Sequence, residues 1–459
     1  MRDLHPSPSR ASGHSIFGPM VRTLKQWLAL LPAASFSRPK LPHLAASIAD
    51  QGLAVGGMLL ANVALARAQS KEEYGMFALS YSVFTFIAGL HNAALVETYT
   101  VYGSGRYQQY GHEYGWLIWR SNALLGCILT AALSVLWLTL RLIAPALASR
   151  SFLGMALSSG VLLSGGFLRR MLYVQRKPLR AAKLSSFFFV TVAVLLALSI
   201  RAGILNGLTA FLIVAAGWIA GGLSVRQELP RPAALDGFHA AQPRHWSAHW
   251  KYARWVLATA FVFQLTTQAY YWISAGLLSL KDVADLRVLY IVVTPVDQIF
   301  VALTLLVLPL MASRYAARQL TQFVSLWKSY ALGNTLITVL FALAVRGFGR
   351  PVMHWIYGGK FDDVADLLGV LALLPVIMGL GNVANVALKA VEKPKFVLYS
   401  YIASGAATFL IGMPLVRHFR LPGAVYGMLI SAAVYTTTMA IGLIAVATPR
   451  LKSARVVLN

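Results

Sequence analysis

Residues 45–86 read AASIADQGLAVGGMLLANVALARAQSKEEYGMFALSYSVFTF. About twenty mostly apolar residues come first, interrupted by one acid, Asp50. A short charged turn follows at Lys71-Glu72-Glu73, then Tyr74-Gly75, and the apolar run resumes at Met76. A helix needs ~20 apolar residues to cross a bilayer, so this stretch predicts one crossing, a tight turn and a second crossing back.

The rest of the chain follows the same plan. Its 459 residues are 58% apolar and 12% charged, with a mean hydropathy of +0.65. Soluble domains are about 25% charged, so the chain reads as an all-α polytopic membrane protein. Twelve spans are predicted, at 44–66, 76–103, 117–141, 152–172, 184–201, 206–225, 252–278, 287–312, 327–346, 365–388, 397–416 and 422–447. The net charge of +25 would suggest nucleic acid in a soluble protein. Here no nucleic-acid partner is expected, because basic residues collect in cytoplasmic loops. With the N-terminus inside, 28 of the 40 Lys and Arg fall on the inner side and 12 on the outer. Both termini are therefore expected in the cytoplasm. Cys127 is the one cysteine and lies in an apolar run; neither an internal disulfide nor a thiolate metal site is expected.

Twelve spans invite a search for a repeat. Lys177-Pro178 matches Lys393-Pro394 at an offset of 216, and the same offset pairs Gly165 with Gly381, Arg201 with Arg417, Leu205 with Leu421 and Gly207 with Gly423. Arg106-Tyr107 matches Arg314-Tyr315 at 208, and Lys71 matches Lys281 at 210. Six spans per repeat is even, so two six-helix bundles related by a pseudo-two-fold along the membrane normal are expected. The division is a basic cytoplasmic tail at 1–43, bundles at 44–225 and 252–447, a linker at 226–251 and a second tail at 448–459. Val21 to Leu31 is a short amphipathic piece suited to a membrane surface, and Met20 offers a second start besides Met1. The linker carries Pro230, Pro232 and Pro243. Its end reads as a surface helix with Trp246 and Trp250 toward lipid. His245 and His249 have the i,i+4 spacing of metal ligands, but no acid accompanies them; two interfacial histidines are expected, and no metal.

No loop is long enough for a catalytic domain, and there is no GxxxxGK[ST], HExxH or GxSxG. Neither an enzyme nor a cofactor is expected. The informative residues are polar ones inside spans. Asp50, Glu97 and Asp297 are the acids clearly within them. Each would cost ~2.5–3.5 kcal/mol at a helix centre, so each needs a cavity or a partner. Asp50 and Glu97 lie toward the cytoplasmic ends, where an ion pair with a nearby base competes with proton carriage; Asp297 is deeper. Gln264, Thr267, Gln268 and Tyr271 form one stripe on the seventh span, Thr294, Asp297 and Gln298 share a face of the eighth, and Asn382, Asn385 and Lys389 line the tenth. Each stripe reads as cavity lining or as interhelical hydrogen bonding. The GxxxG pairs Gly52/Gly56, Gly217/Gly221 and Gly423/Gly427 read as close helix packing.

Ser47-Ile48-Ala49-Asp50-Gln51 through Asn62, Leu65-Ala66-Arg67 and Glu73-Tyr74-Gly75-Met76-Phe77 resemble the first span and turn of Wzx-type oligosaccharide flippases, polysaccharide biosynthesis proteins of the multidrug/oligosaccharidyl-lipid/polysaccharide exporter superfamily. Tyr357-Gly358-Gly359-Lys360-Phe361, Ala387-Leu388-Lys389-Ala390 and Lys393-Pro394-Lys395 extend the resemblance to the second half. It covers about 44–447. It implies two six-helix bundles around a central cavity, alternating access, and transfer of an undecaprenyl-diphosphate-linked glycan across a bacterial inner membrane. Glycan polymerase and chain-length proteins are the implied partners, beside membrane lipid. A diphosphate headgroup calls for a cationic site, best made by arginine. Arg67, Arg120, Arg254 and Lys389 are the candidates near span ends, against simple topology or snorkelling. A cation-coupled exporter of small drugs on the same fold competes with this reading, with Asp297 as its coupling acid and Asp50 and Glu97 behind it. A membrane-embedded glycan polymerase or ligase would need a large outer loop with catalytic bases, and the loop lengths argue against it.

Overall fold

The computed structural model describes residues 41–104, 111–143, 148–230, 242–393 and 395–456. The amphipathic piece at 21–31, the Arg106-Tyr107 half of one repeat match, Pro232 and Pro394 lie outside them. The helices of the first half are α1 (Leu41–Ala68), α2 (Lys71–His91) continued through a π-helical stretch (Asn92–Glu97) into α3 (Thr98–Ser104), α4 (Gly111–Ile143), α5 (Arg150–Val174), α6 (Pro178–Arg201) and α7 (Gly207–Ser224). After the linker come α8 (Gln242–Leu277), α9 (Leu280–Val293), α10 (Pro295–Ala316), α11 (Leu320–Tyr357), α12 (Leu367–Leu371), α13 (Leu373–Ala390), α14 (Lys395–Ala407) and α15 (Met413–Val456). Every predicted span falls on helix, apart from a few end and junction residues. Among the described residues, nine helical stretches are long and apolar enough to cross a membrane by length and composition. The difference from twelve has physical causes. Polar side chains dilute α8. Pro295 divides the eighth span into α9 and α10. The run Lys395–Val446 counts as one stretch, although its backbone breaks at Arg420 (φ 56°).

Lipid-facing surface is plain on α4, where Leu124, Val135 and Leu142 are 62%, 63% and 77% exposed. In the first half α1 packs on α6, α6 on α7, and α5 on α4 and α7; in the second α13 packs on α10, α11 and α15, and α14 on α15. The halves meet mainly through α2, which lies against both α8 and α9.

The sequence repeat has a backbone counterpart. At the end of α5, Arg176 has φ 58°; Lys177 N–H donates to Leu172 O (2.8 Å) and Arg176 N–H to Tyr173 O (2.9 Å). At the end of α13, Glu392 has φ 59°; Lys393 N–H donates to Leu388 O (2.9 Å) and Glu392 N–H to Lys389 O (3.1 Å). The same helix-ending motif thus recurs at the offset of 216. Packing repeats too. A Cβ on Gly165 would lie 2.5 Å from Trp218, and one on Gly381 2.6 Å from Tyr435. In each half an aromatic ring of the sixth span rests on a glycine of the fourth. Gly217, Gly221 and Gly427 also serve close packing, whereas Gly52 faces open space.

The connections at 69–70, 202–206, 278–279 and 358–366 share one side, here the far face; α1 begins at the opposite, tail face. At the far face the halves are clamped. Lys71 of α2 bridges Asp285 of α9 (2.9 Å) and Asp363 (2.8 Å), while Lys281 of α9 bridges Glu72 of α2 (3.1 Å). The lysines matched at offset 210 therefore reach across in opposite directions. Gly75 lets α2 approach the Leu280 carbonyl closely, and Lys360 donates to the carbonyls of Ala66 and Gln69 at the end of α1.

Candidate functional site

Among the described residues, three polar regions within the helical body bear on function. The first surrounds Asp50, which is fully buried. Its carboxylate accepts from Arg169 Nε (3.0 and 2.8 Å), Tyr173 OH (2.7 Å) and Ser185 Oγ (2.6 Å), with Arg169 Nη2 at 2.7 Å. Arg169 and Tyr173 are four apart on α5 and share a face, which brings both to one carboxylate. Arg169 Nη2 also donates to Gln51 Oε1 (2.5 Å), and Gln51 Nε2 to Gln298 Oε1 on α10 (2.7 Å). By sequence Arg169 counts as one of the bases around the loop after the fourth span; the fold turns it inward onto Asp50.

The second region is a cavity of about 110 Å³ inside the second half. Asp297, Thr267, Tyr290, Tyr401 and Tyr435 are among the side chains lining it. The Asp297 carboxylate makes no hydrogen bond or ion pair among the described residues. Nearby, Ser431 Oγ is shared by Tyr270 OH and Thr408 Oγ1, each at 2.9 Å.

The third region lies between the halves, toward the far face. Arg287, on α9, is half-buried. Its Nε donates to Asn62 Oδ1 (3.3 Å), and the guanidinium lies 4.6 Å from the Tyr81 ring centroid. Tyr74, Tyr271 and Tyr357 are within electrostatic reach, and their buried hydroxyls have no hydrogen-bond partner among the described residues. No carboxylate pairs with Arg287 among the described residues. Sequence reasoning missed it because it opens a predicted span, where snorkelling accounts for an arginine. No periodicity could have found it, since its neighbours come from four other helices, α1, α2, α8 and α11.

The predicted stripes divide. Of the α8 stripe only Thr267 lines the second-half cavity. Gln264 presses on Gly89 of α2, and Gln268 and Tyr271 are buried; this face is largely interhelical packing. Thr294 joins α9 to α10 and bonds back to Ile291 O (2.9 Å). Asn382 donates to Tyr330 OH (2.9 Å) and Thr304 Oγ1 (3.3 Å), and Asn385 is buried with its Oδ1 unpartnered among the described residues. Glu97 and Lys389 are both exposed and within electrostatic reach of each other across the halves. The headgroup candidates do not converge. Arg67 lies beside Gly358, Arg120 is exposed, and Arg254 sits 5.6 Å from the Trp255 ring centroid.

His249 corrects the sequence reading. It is fully buried, not interfacial. Its Nε2 donates to Ala94 O (2.8 Å), a carbonyl of the π-helical stretch, and Tyr114 OH donates to its Nδ1 (2.8 Å). One neutral tautomer satisfies both bonds, and burial pushes the imidazole pKa down. The side chain of His245 lies outside the described ones. Trp246 and Trp250 are exposed as expected, at 38% and 48%. The described residues contain no group of three or more metal-ligand side chains.

No protein-family model matches the sequence, and no curated protein matches it by sequence. Solved structures do match by fold. The lipid II flippase MurJ, in an inward closed conformation, aligns with a TM-score of 0.65 and 13% identity over 87% of this chain and 87% of its own. A multidrug resistance MATE family transporter of the MOP superfamily, inward-facing, aligns at 0.64 and 12% over 88% of this chain and 99% of its own. An outward-facing transporter of that description aligns at 0.59 and 14%, over 89% and 97%. These structures share a polytopic all-helical fold with this chain.

Proposed function

We propose that the chain is a flippase that moves an undecaprenyl-diphosphate-linked oligosaccharide across the bacterial inner membrane by alternating access, for surface polysaccharide biosynthesis. The observation that carries this reading is Arg287: a guanidinium held between the halves by tyrosines and an asparagine, without a carboxylate partner among the described residues. A fork of N–H donors suits phosphate oxygens, and a fixed positive charge there would oppose a cationic drug. The closed far face and the better alignment to the inward-facing than to the outward-facing MATE transporter support a resting state open toward the tail face. On the proposed topology the tail face is cytoplasmic, both termini lie inside, and the bundles are 44–225 and 252–447. Lys389, exposed opposite Glu97, remains a headgroup candidate; Arg67, Arg120 and Arg254 fit topology better. Glycan polymerase and chain-length proteins are the proposed partners.

The second reading, a cation-coupled exporter of small molecules, has its own observation: Asp297 stands unpaired among the described residues beside an aromatic-lined cavity. The two can coexist if Asp297 couples flipping to an ion gradient. Deletion of the gene, complemented with wild type or Arg287→Gln, separates them. The flippase reading expects unpolymerised lipid-linked glycan on the cytoplasmic leaflet in the deletion strain, with transfer restored by wild type and not by the variant. Altered drug sensitivity with intact surface glycan would overturn it.

A further inference from the structure

Arg169 uses only part of its guanidinium on Asp50. Nε and Nη2 form the edge that grips the carboxylate, whose oxygens are filled further by Tyr173 and Ser185. Nη1 makes no hydrogen bond among the described residues. The side chain is 22% exposed while Asp50 is closed off completely. A guanidinium held by one edge is pre-organised to offer its other edge to an oxyanion, and a paired fork matches two phosphate oxygens. One oxygen already stands on that side: the amide oxygen of Gln51, 2.5 Å from Nη2. It is neutral, it belongs to an exposed side chain, and the same amide donates to Gln298 on α10 at 2.7 Å. Gln51 therefore links the guanidinium of the first half to a helix of the second.

We propose that Arg169 is a phosphate-binding residue for the headgroup, that Gln51 fills its place in the unloaded protein, and that a phosphate displacing Gln51 also releases the Gln51–Gln298 bridge between the halves. The assignment rests on the lipid-linked diphosphate reading and names a binding residue outside the sequence candidates. An incoming phosphate oxygen exchanges a neutral acceptor for a charged one, and charge-assisted bonds are the stronger. Asp50 is the resting counter-ion: it keeps the arginine in place and charge-balanced when no headgroup is bound. The amide of Gln51, once displaced, no longer has its carbonyl anchored and loses the geometry that meets Gln298. Headgroup arrival is thus felt at the seam between α1 and α10.

The test uses the full chain in nanodiscs, with Cys127→Ser removing the one native cysteine. Ile48→Cys on α1 and Ile299→Cys on α10, 66% and 38% exposed, carry spin labels for distance measurement. Farnesyl diphosphate is the probe, with inorganic pyrophosphate and farnesol as separate arms. Asp50→Asn should bind the probe at least as tightly as wild type, because it removes the competing anion. Asp50→Asn with Arg169→Gln, which leaves no buried unpaired charge, should bind ~10–100-fold more weakly. The label distances should shift on adding farnesyl diphosphate, and Gln51→Leu should show that shift without ligand. Equal affinity of Asp50→Asn and the double variant overturns the Arg169 assignment while leaving the flippase reading standing. Unchanged label distances in both the loaded protein and Gln51→Leu overturn the release step. Binding of pyrophosphate as tightly as farnesyl diphosphate keeps the phosphate site but overturns the lipid headgroup as its ligand. If no diphosphate binds wild type, the inference and the reading it rests on both fail.

Discussion

Two acids that interrupt apolar helices, Asp50 fully buried in the first half and Asp297 half-buried in the second, are accommodated in opposite ways. Asp50 meets a guanidinium, a phenol and a serine hydroxyl, and nothing of it reaches solvent. Asp297 meets a cavity of about 110 Å³ and no partner among the described residues. In sequence they look alike: single acids in apolar runs, each too costly to leave facing lipid. The difference teaches where charge can change. A carboxylate whose lone pairs are all taken is an anchor, and altering it disturbs the fold. A carboxylate beside an unfilled space can exchange a proton or a cation without dismantling anything.

Removing Arg169 should break this contrast hardest. Arg169→Gln leaves Asp50 charged and enclosed, and loss of one partner of a buried pair costs about 3–5 kcal/mol. The expected outcome is a large fall in the thermal midpoint in detergent, recovered in part by adding Asp50→Asn. Asp50→Asn alone should cost less, about 2 kcal/mol, because the arginine left behind is already partly open to water and keeps its bond to Gln51; unfolding curves of the two single variants rank them directly. Ser185→Ala removes one neutral donor among several, for about 1 kcal/mol. If that series came out flat, Asp50 would not be the anchor its bonds make it.

The spans, the repeat and the turns are legible in the sequence because bilayer length, hydrophobic runs and helix-ending chemistry all act locally. Lys177 and Lys393 sit on matching backbone turns for that reason. The side-chain partnerships are much less legible. Which base meets Asp50 depends on the rotation of α5 against α1, and nothing in the sequence near either helix encodes it. Arg169 reads as a topology charge, and Arg287 as a span end. His249 reads as interfacial because its neighbours Trp246 and Trp250 are. Its real role follows from the π-helical stretch, whose Ala94 carbonyl it satisfies from another helix, and no periodicity announces that bulge. Gln264 and Gln268 make a clean stripe, but a stripe records a shared face and not what the face meets; here much of it meets α2.

Asp297→Asn is the smallest change to the fold and the sharpest test of the comparison. It deletes no hydrogen bond or ion pair among the described residues and keeps the side chain's shape, so the thermal midpoint should move little, by less than about 0.5 kcal/mol in stability. Transport should nevertheless change in kind. If Asp297 carries the coupling ion, flipping measured in proteoliposomes under an imposed proton or sodium gradient should lose its response to that gradient while substrate binding persists. Two results would undo the argument. A midpoint that falls as far as in Arg169→Gln would mean that Asp297 has a structural partner after all, and the two acids would be alike. An unchanged gradient response with an unchanged midpoint would mean that an unpaired acid beside a cavity is here merely tolerated, and the coupling role would have to be sought at Glu97, exposed between the halves opposite Lys389.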